Sequence, residues 1–279
     1  EVAERVLAEG HADMVSMARP FLADAEFVNK AAESRADEIN TCIGCNQACL
    51  DHTFSLKITT CLVNPRACHE TEIVVAPTAA KKRIAVVGAG PAGLSFSSVA
   101  AERGHEVTIF DAAPEIGGQF NVAKQVPGKE EFHETIRYFR RQVELTGVDL
   151  RLNTRADVAQ LLAGGYDEVV LATGIVPRDL PLEGFHHPKV MGYLDVLRDK
   201  KPVGQRVAVI GAGGIGFDVS EYLTHEGESP SLNVQKFNEE WGIASTQTHR
   251  GGLAKPHLPT PPRQIYLLQR KTSKVGDGL

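Results

Sequence analysis

The rhythm of apolar and polar positions changes several times along the chain. Residues 2–9 (VAERVLAE) carry apolar side chains at helical spacing, which predicts an amphipathic helix from Val2 to Glu9 closed by Gly10. A short strand is expected from Asp13 to Met17 and a helix from Asp24 to Ser34, together one βα unit with its preceding helix. Residues 41–76 show little periodicity, and Ala76-Pro77-Thr78-Ala79-Ala80-Lys81-Lys82 reads as a boundary. Beyond it, short apolar runs at Arg83–Val87, Glu106–Phe110, Asp167–Ala172, Arg206–Ile210 and Gln264–Leu268 alternate with helical stretches. That alternation predicts an α/β protein built on an open parallel sheet. Residues 225–263 interrupt it with a segment rich in Pro, Gly, Ser and Asn, longer than an ordinary connection. It carries the only tryptophan, Trp241, which reads as a packing residue rather than a lid.

Two of the strands run straight into glycine turns. Arg83–Val87 leads to Gly88-Ala89-Gly90-Pro91-Ala92-Gly93 and a helix to about Arg103, and Arg206–Ile210 leads to Gly211-Ala212-Gly213-Gly214-Ile215-Gly216 and a helix to about Thr224. In such a turn the first glycine bends the chain, the second lets backbone approach a pyrophosphate and the third lets helix and strand pack closely. The pyrophosphate then meets the helix N-terminus, where free N–H groups and the dipole favour negative charge. After the first turn, strand Glu106–Phe110 ends at Asp111, a carboxylate placed for ribose hydroxyls. After the second, strand Gln264–Leu268 ends in Gln269-Arg270-Lys271 with no acid. A carboxylate there would repel a 2′-phosphate, whereas arginine and lysine would bind it, so this site reads as NADPH-preferring; the plainer alternative is a pair of solvated surface charges. Gly117-Gly118 again allows backbone near phosphate, and Thr173-Gly174 closes the strand Asp167–Ala172.

Composition narrows the field. With 279 residues, 42% hydrophobic and 23% charged, the chain can bury two cores. A net charge of −5 leaves no basic footprint for nucleic acid, and the apolar runs are too short and glycine-broken for a membrane span. The first residues read as helix rather than as a secretory leader, so a cytoplasmic protein is expected. A chain starting on Glu1 with a helix and ending in SKVGDGL just after a strand reads as a fragment of a longer protein.

Four of the five cysteines fall together as Cys42-x2-Cys45-x3-Cys49-x11-Cys61. Three thiolates on one tight loop can take three corners of an Fe4S4 cube, and a fourth from a returning segment closes it. A structural zinc site is the rival, but zinc commonly pairs two two-cysteine knuckles. Cys68 reads as a plain thiol, and His52 and His69 as solvated loop histidines.

A cluster loop, a first dinucleotide fold and a second embedded in it, in this order, resemble the iron–sulfur flavoenzymes typified by bacterial 2,4-dienoyl-CoA reductases and, more broadly, the old yellow enzyme/trimethylamine dehydrogenase-like family. The motifs that carry the resemblance are Ser16-Met-Ala-Arg-Pro-Phe-Leu-Ala-Asp24, Cys42-Ile-Gly-Cys-Asn-Gln-Ala-Cys49, Cys61-Leu-Val-Asn-Pro65, Ile116-Gly-Gly-Gln-Phe120 and the two glycine turns. It implies that residues 1–40 are the end of an FMN-binding TIM barrel, 41–76 the [4Fe–4S] segment, 77–203 the first part of an FAD-binding domain and 204–279 an incomplete NADPH-binding domain. It also implies that Ala18 and Arg19 contact the FMN phosphate, an arginine capping a local loop being the alternative, and that Gln47, Ala92, Asp111, Gln119 and Lys129 face FAD. By the same resemblance, electrons pass from NADPH through FAD, the cluster and FMN to a dienoyl-CoA thioester. The tyrosine and histidine that supply the proton belong to the missing barrel, so the chain holds no catalytic acid and is expected to be inactive on substrate alone. An amine dehydrogenase of the same architecture, an NADPH-binding electron-transfer subunit and a zinc-stabilised binding module remain as alternatives.

Overall fold

The computed structural model describes residues 2–244 and 249–276, so residues 245–248 of the long segment and the last three of SKVGDGL lie outside the described residues, as does Glu1. In chain order the regular elements are α1 (Val2–Ala8), α2 (Arg19–Ala23), α3 (Phe27–Ala32), α4 (His52–Phe54), β1 (Arg83–Val87), α5 (Pro91–Glu102), β2 (Glu106–Phe110), α6 (Phe120–Ala123), α7 (Phe132–Thr146), β3 (Asp149–Arg151), α8 (Val158–Ala163), β4 (Glu168–Leu171), α9 (Tyr193–Leu197), β5 (Arg206–Ile210), α10 (Gly214–Thr224), α11 (Val234–Trp241) and β6 (Gln264–Leu268). They form two compact units, Glu1–Ile116 with Glu134–Ala172, and Gly117–His133 with Thr173–Leu279.

The first unit is built on a parallel sheet in the order β3-β2-β1-β4. Val86 stands beside Ile109 on one side and Val170 on the other. Ile84, Ala85, Val86, Val107, Ile109 and Phe110 are all buried, the continuous apolar run of parallel strands covered on both faces. Leu94 and Ala100 of α5 and Ile136 and Val143 of α7 complete the core. Between β1 and α5 the chain turns at Gly88, whose φ of +113° suits glycine. A β-carbon on Gly93 would lie 1.9 Å from the Gly88 carbonyl oxygen, so the helix can start this close to the strand only if residue 93 has no side chain.

Upstream, the structure departs from the expected βα unit. Asp13–Met17 forms no strand: these residues pair with no other strand among the described residues, and a lone extended segment has no ladder to hold it. The following helix is shorter than Asp24–Ser34, because the Asp24 carboxylate accepts the Glu26 N–H at 3.0 Å and makes a turn of the entry.

The second unit has a two-stranded parallel sheet, β5 paired with β6 from Arg206↔Gln264 to Ile210↔Leu268. Its core gathers Val122 and Val126 from the α6 region, Val196 and Leu197 from α9, and Val219 and Leu223 from α10, with Val207, Val209 and Ile265 packed against them. The strands alternate half-buried and exposed, leaving Ile210, Tyr266 and Leu268 open on the other face. The strand–turn–helix geometry of the first unit recurs here: a β-carbon on Gly216 would lie 1.8 Å from the Gly211 carbonyl oxygen. In the long segment, α11 is capped by the Asn233 side chain on the Lys236 N–H and closed by Gly242 in a left-handed conformation. Trp241 stacks on Phe237 of the same helix and is 65% exposed, so its packing is local and buries no core. Among the described residues, no helix is long and apolar enough to cross a membrane.

Two predictions follow from this packing. Gly93→Ala should destabilise the protein by about 2–3 kcal/mol in urea or thermal unfolding, because backbone must move to admit the methyl group. Gly90→Ala should change stability little, since nothing lies within 4 Å of its β-carbon; equal stabilities would contradict the contact. Burial first, and then the carboxylates of Asp24 and Glu102, push the Tyr138 phenol up to about 12 from its ordinary 10.0. The unfolded phenol therefore ionises first, so stability is retained below pH 10 and falls as the pH rises toward 12. Tyr138→Phe should flatten that alkaline decline and leave neutral stability nearly unchanged, as followed by denaturant unfolding at several pH values.

Candidate functional site

Cys42, Cys45, Cys49 and Cys61 are half-buried free thiols that line one recess of about 310 Å³, counting the solvent at its mouth. Gly44 and Asn46 both take left-handed backbone (φ +66° and +61°), which coils the loop so that its cysteines face inward. A single turn of π-helix, Gln47–Asp51, carries Cys49 and is followed by α4. Thr53 Oγ1 donates to the Cys49 carbonyl at 2.9 Å, and the Thr60 N–H donates to the Ala48 carbonyl at 2.9 Å, drawing the returning segment alongside. Burial pushes the Cys61 thiol up, opposed by backbone N–H groups of Val63 and Asn64, and the neighbouring Cys42 and Cys45 raise it further. Arg19 lines the same recess, where its guanidinium hydrogen-bonds the Asn46 side chain. His52 bonds the Ile58 carbonyl and His69 pairs with Glu72; neither lines the recess, and Cys68 is exposed.

Among the described residues, no group of three or more His, Cys, Asp or Glu side chains is arranged around a single metal ion. The four thiols nevertheless converge on one cavity, and the donor set, four soft sulfurs, fits an iron–sulfur cluster. A lone ion requires its ligands at one point, whereas a cluster spreads its sulfurs over four corners, the looser arrangement this recess presents.

The first glycine turn lies in the first unit with Asp111. The Gly88 N–H donates to the Phe110 carbonyl at 2.8 Å, tying the turn to the end of β2. Asp111 accepts the Ala89 N–H at 2.6 Å and the Ala113 N–H at 2.8 Å, one on each oxygen, so its carboxylate holds the turn itself and has remaining lone pairs for a ligand. A β-carbon on Gly90 would meet open space, the room a backbone-bound phosphate needs, and Ala92 lies exposed in the first turn of α5.

The second turn repeats this arrangement in the second unit. The Gly211 N–H donates to the Leu268 carbonyl at 2.9 Å, and a β-carbon on Gly213 would likewise meet open space. Gln269 therefore stands at the strand end where the first unit has Asp111. Its amide donates to the carbonyls of Lys271 at 3.0 Å and Ser273 at 2.5 Å, folding a short loop that leaves Arg270 and Lys271 exposed. Gly118, Gln119, Lys129, Thr173 and Gly174 belong to this second unit too. Gln119 accepts a hydrogen bond from Tyr193 Oη at 3.1 Å, and Lys129 pairs with Asp218 of α10 at 2.6 Å. Gln47 and Ala18 are exposed.

Asn46, Tyr193 and Asp218, the partners of Arg19, Gln119 and Lys129, were not singled out by the sequence. Asn46 had a readable signal, since asparagine between cysteines suits left-handed backbone; the other two have none, because their partners are 74 and 89 residues away.

The chain matches the family model for pyridine nucleotide-disulphide oxidoreductases over residues 56–161 and 82–232. It is 38% identical to a metal reductase of Desulforamulus reducens over 231 residues, 81% of this chain and 35% of that protein. The structure of a 2-naphthoyl-CoA reductase in complex with 2-naphthoyl-CoA is similar over 95% of this chain and 45% of its own, with 30% identity and a TM-score of 0.78. Histamine dehydrogenase from a Rhizobium species is similar over 80% and 35%, with 26% identity and a TM-score of 0.69. The chain thus spans about a third of the length of the curated relatives it matches. The family domain implies FAD and a nicotinamide dinucleotide as cofactors. With both glycine turns in place and matches across more than half its length, the chain belongs to the pyridine nucleotide-disulphide oxidoreductase family and is homologous to the old yellow enzyme/trimethylamine dehydrogenase-like flavoprotein oxidoreductases.

Proposed function

We propose that the chain is the FAD-, NADPH- and cluster-bearing portion of a flavoprotein whose parent reduces unsaturated acyl-CoA thioesters of the 2,4-dienoyl type. The observation that carries this reading is the recess lined by Cys42, Cys45, Cys49 and Cys61 in a chain that also holds two glycine turns. The similarity to a reductase bound to an aryl-CoA supports the thioester class. Residues 1–40 are assigned to the end of an FMN barrel, 41–76 to the cluster segment, 77–203 to the FAD domain and 204–279 to the NADPH domain. Five free cysteines suit a reducing cytoplasm.

When bound, the flavins and cluster would supply interconversion of hydride and single-electron transfer. The chain's own residues bind and orient. The four thiolates would hold the cluster, and Gly88, Gly90, Ala92 and Gly93 would present N–H groups of α5 to the FAD pyrophosphate. Asp111 shapes that turn and offers its free lone pairs to ribose hydroxyls, with Gly118, Gln119, Lys129, Thr173, Gly174 and Gln47 assigned to the remaining FAD contacts. Gly211, Gly213 and Gly216 would do the same for NADPH, while Arg270 and Lys271, with Gln269 in place of an acid, would take the 2′-phosphate. Ala18 and Arg19 are assigned to the FMN phosphate.

The similarity to histamine dehydrogenase favours a second reading, amine oxidation by the parent. Anaerobic incubation of the parent with NADPH and a 2,4-dienoyl-CoA separates the two: matched loss of NADPH and dienoyl absorbance supports reduction, while turnover only with histamine or dimethylamine and an acceptor would replace it. The double change Arg270→Gln with Lys271→Gln should raise KM for NADPH about tenfold to a hundredfold and leave that for NADH unchanged; equal effects on both nucleotides would remove the phosphate role.

A further inference from the structure

We propose that Asn40 is a positioning residue for Cys61, fixing where the fourth sulfur stands relative to the Cys42–Cys49 loop; the consequence for metal binding rests on the cluster reading above. Asn40 is only 6% exposed and precedes Cys42 by two residues. Its side-chain Nδ2 donates to the Val63 carbonyl at 2.7 Å, and Val63 follows Cys61 by two residues. One buried amide therefore joins the two cysteine-bearing segments, two residues from Cys42 on one side and two from Cys61 on the other.

The anchor behind Asn40 is also buried. Its backbone N–H donates to Asp24 Oδ2 at 2.8 Å, and the same oxygen accepts Lys30 Nζ at 2.7 Å, which also reaches the Glu38 carbonyl at 3.0 Å. The Lys30 and Asp24 side chains are 16% and 6% exposed, so the ion pair is largely shielded from water. A second amide braces the return segment: Asn64 Nδ2 donates to the Leu22 carbonyl at 2.9 Å. Asn64 also donates its backbone N–H to the Cys61 carbonyl at 3.2 Å, so a shift of the Val63–Asn64 backbone would move Cys61 with it.

Asn40 Oδ1 has no hydrogen-bond partner among the described residues. An apolar side chain of similar size would avoid a buried orphan acceptor, and replacing a buried polar group by a matching apolar one costs little in stability. The amide is thus poorly explained as filler and well explained as a spacer. The three-cysteine loop has separate supports, Asp51 N–H on the Asn46 carbonyl at 3.0 Å and Thr53 Oγ1 on the Cys49 carbonyl, so loosening Asn40 should release residues 61–64 selectively.

The test uses Asn40→Asp and Asn40→Leu in the full chain, prepared without oxygen. Aspartate keeps the shape and loses the donor; leucine keeps the bulk and loses all polarity. In both, amide hydrogen exchange over residues 61–66 should quicken about tenfold or more while β1 exchanges as in the wild type. Iron release to a chelator should quicken about tenfold to a hundredfold, the usual cost of losing an outer support of a metal site, and the low-temperature paramagnetic resonance spectrum of the reduced protein should change shape. Wild-type exchange and wild-type iron retention in both variants would overturn the proposal, as would an aspartate variant indistinguishable from wild type beside a disturbed leucine variant, which marks a packing role. Should the wild type bind no iron, the cluster reading fails, and the exchange measurement still decides whether Asn40 positions Cys61.

Discussion

The constraint on which each unit depends is the approach of a helix to the strand that precedes it. A β-carbon at residue 93 would stand 1.9 Å from the Gly88 carbonyl oxygen, and one at residue 216 would stand 1.8 Å from that of Gly211. Only glycine allows the contact, and the contact brings the first turn of α5 or α10 directly over the carboxyl end of β1 or β5. Once the helix starts there, its unpaired N–H groups gather at the strand end with the positive end of the dipole, an anion site made of backbone alone. The neighbouring strand then fixes which side chains stand beside that site. The Gly88 N–H bonds the end of β2, so Asp111 comes next to the first turn; the Gly211 N–H bonds the end of β6, so Gln269, Arg270 and Lys271 come next to the second. Two similar turns are thereby followed by different strand ends, an acid in the first and Gln269 in the second.

The units differ in how they support this geometry. In the first, β1 is buried from Ile84 to Val86 and β2 from Val107 to Phe110, and four strands share the load. In the second, two strands cover one face only, and much of the stabilising burial comes from Val122, Val126, Val196, Leu197, Val219 and Leu223 on helices and their flanks. Segment Gly117–His133 joins this core through its valines and through the pairs Lys129–Asp218 and Gln119–Tyr193. Gln119 and Lys129 are thus held by neighbours within this unit.

Much of this was legible in the sequence, and the reason is local. A continuous apolar run followed by glycines at fixed spacing encodes strand, turn and helix within some twenty residues, and both turns form where the pattern placed them. The cysteine spacing likewise announced its recess, since a two-residue and a three-residue gap leave the loop few ways to coil. What failed was the inference that needed a distant partner. Asp13–Met17 has the composition of a strand and, among the described residues, no ladder to join. Asp111, read as placed for ribose hydroxyls, also brackets the turn through the Ala89 and Ala113 N–H groups, contacts with no sequence signal of their own. Trp241, read as packing, stacks on Phe237 of its own helix and stays 65% exposed, so its packing is local. The amide chain from Asp24 through Asn40 to Val63 joins residues up to 39 apart, with no periodicity to signal it.

Everything downstream of the glycine turns depends on whether the four-cysteine recess carries electrons from the nicotinamide side. Low-temperature paramagnetic resonance of the anaerobic protein, with iron and zinc assayed on the same sample, tests this most directly. The account predicts about four irons per chain, no stoichiometric zinc, and a cluster signal that develops on addition of NADPH. One zinc per chain, no iron and no signal would contradict it, leaving the cysteines as a structural knot beside a nucleotide-binding scaffold.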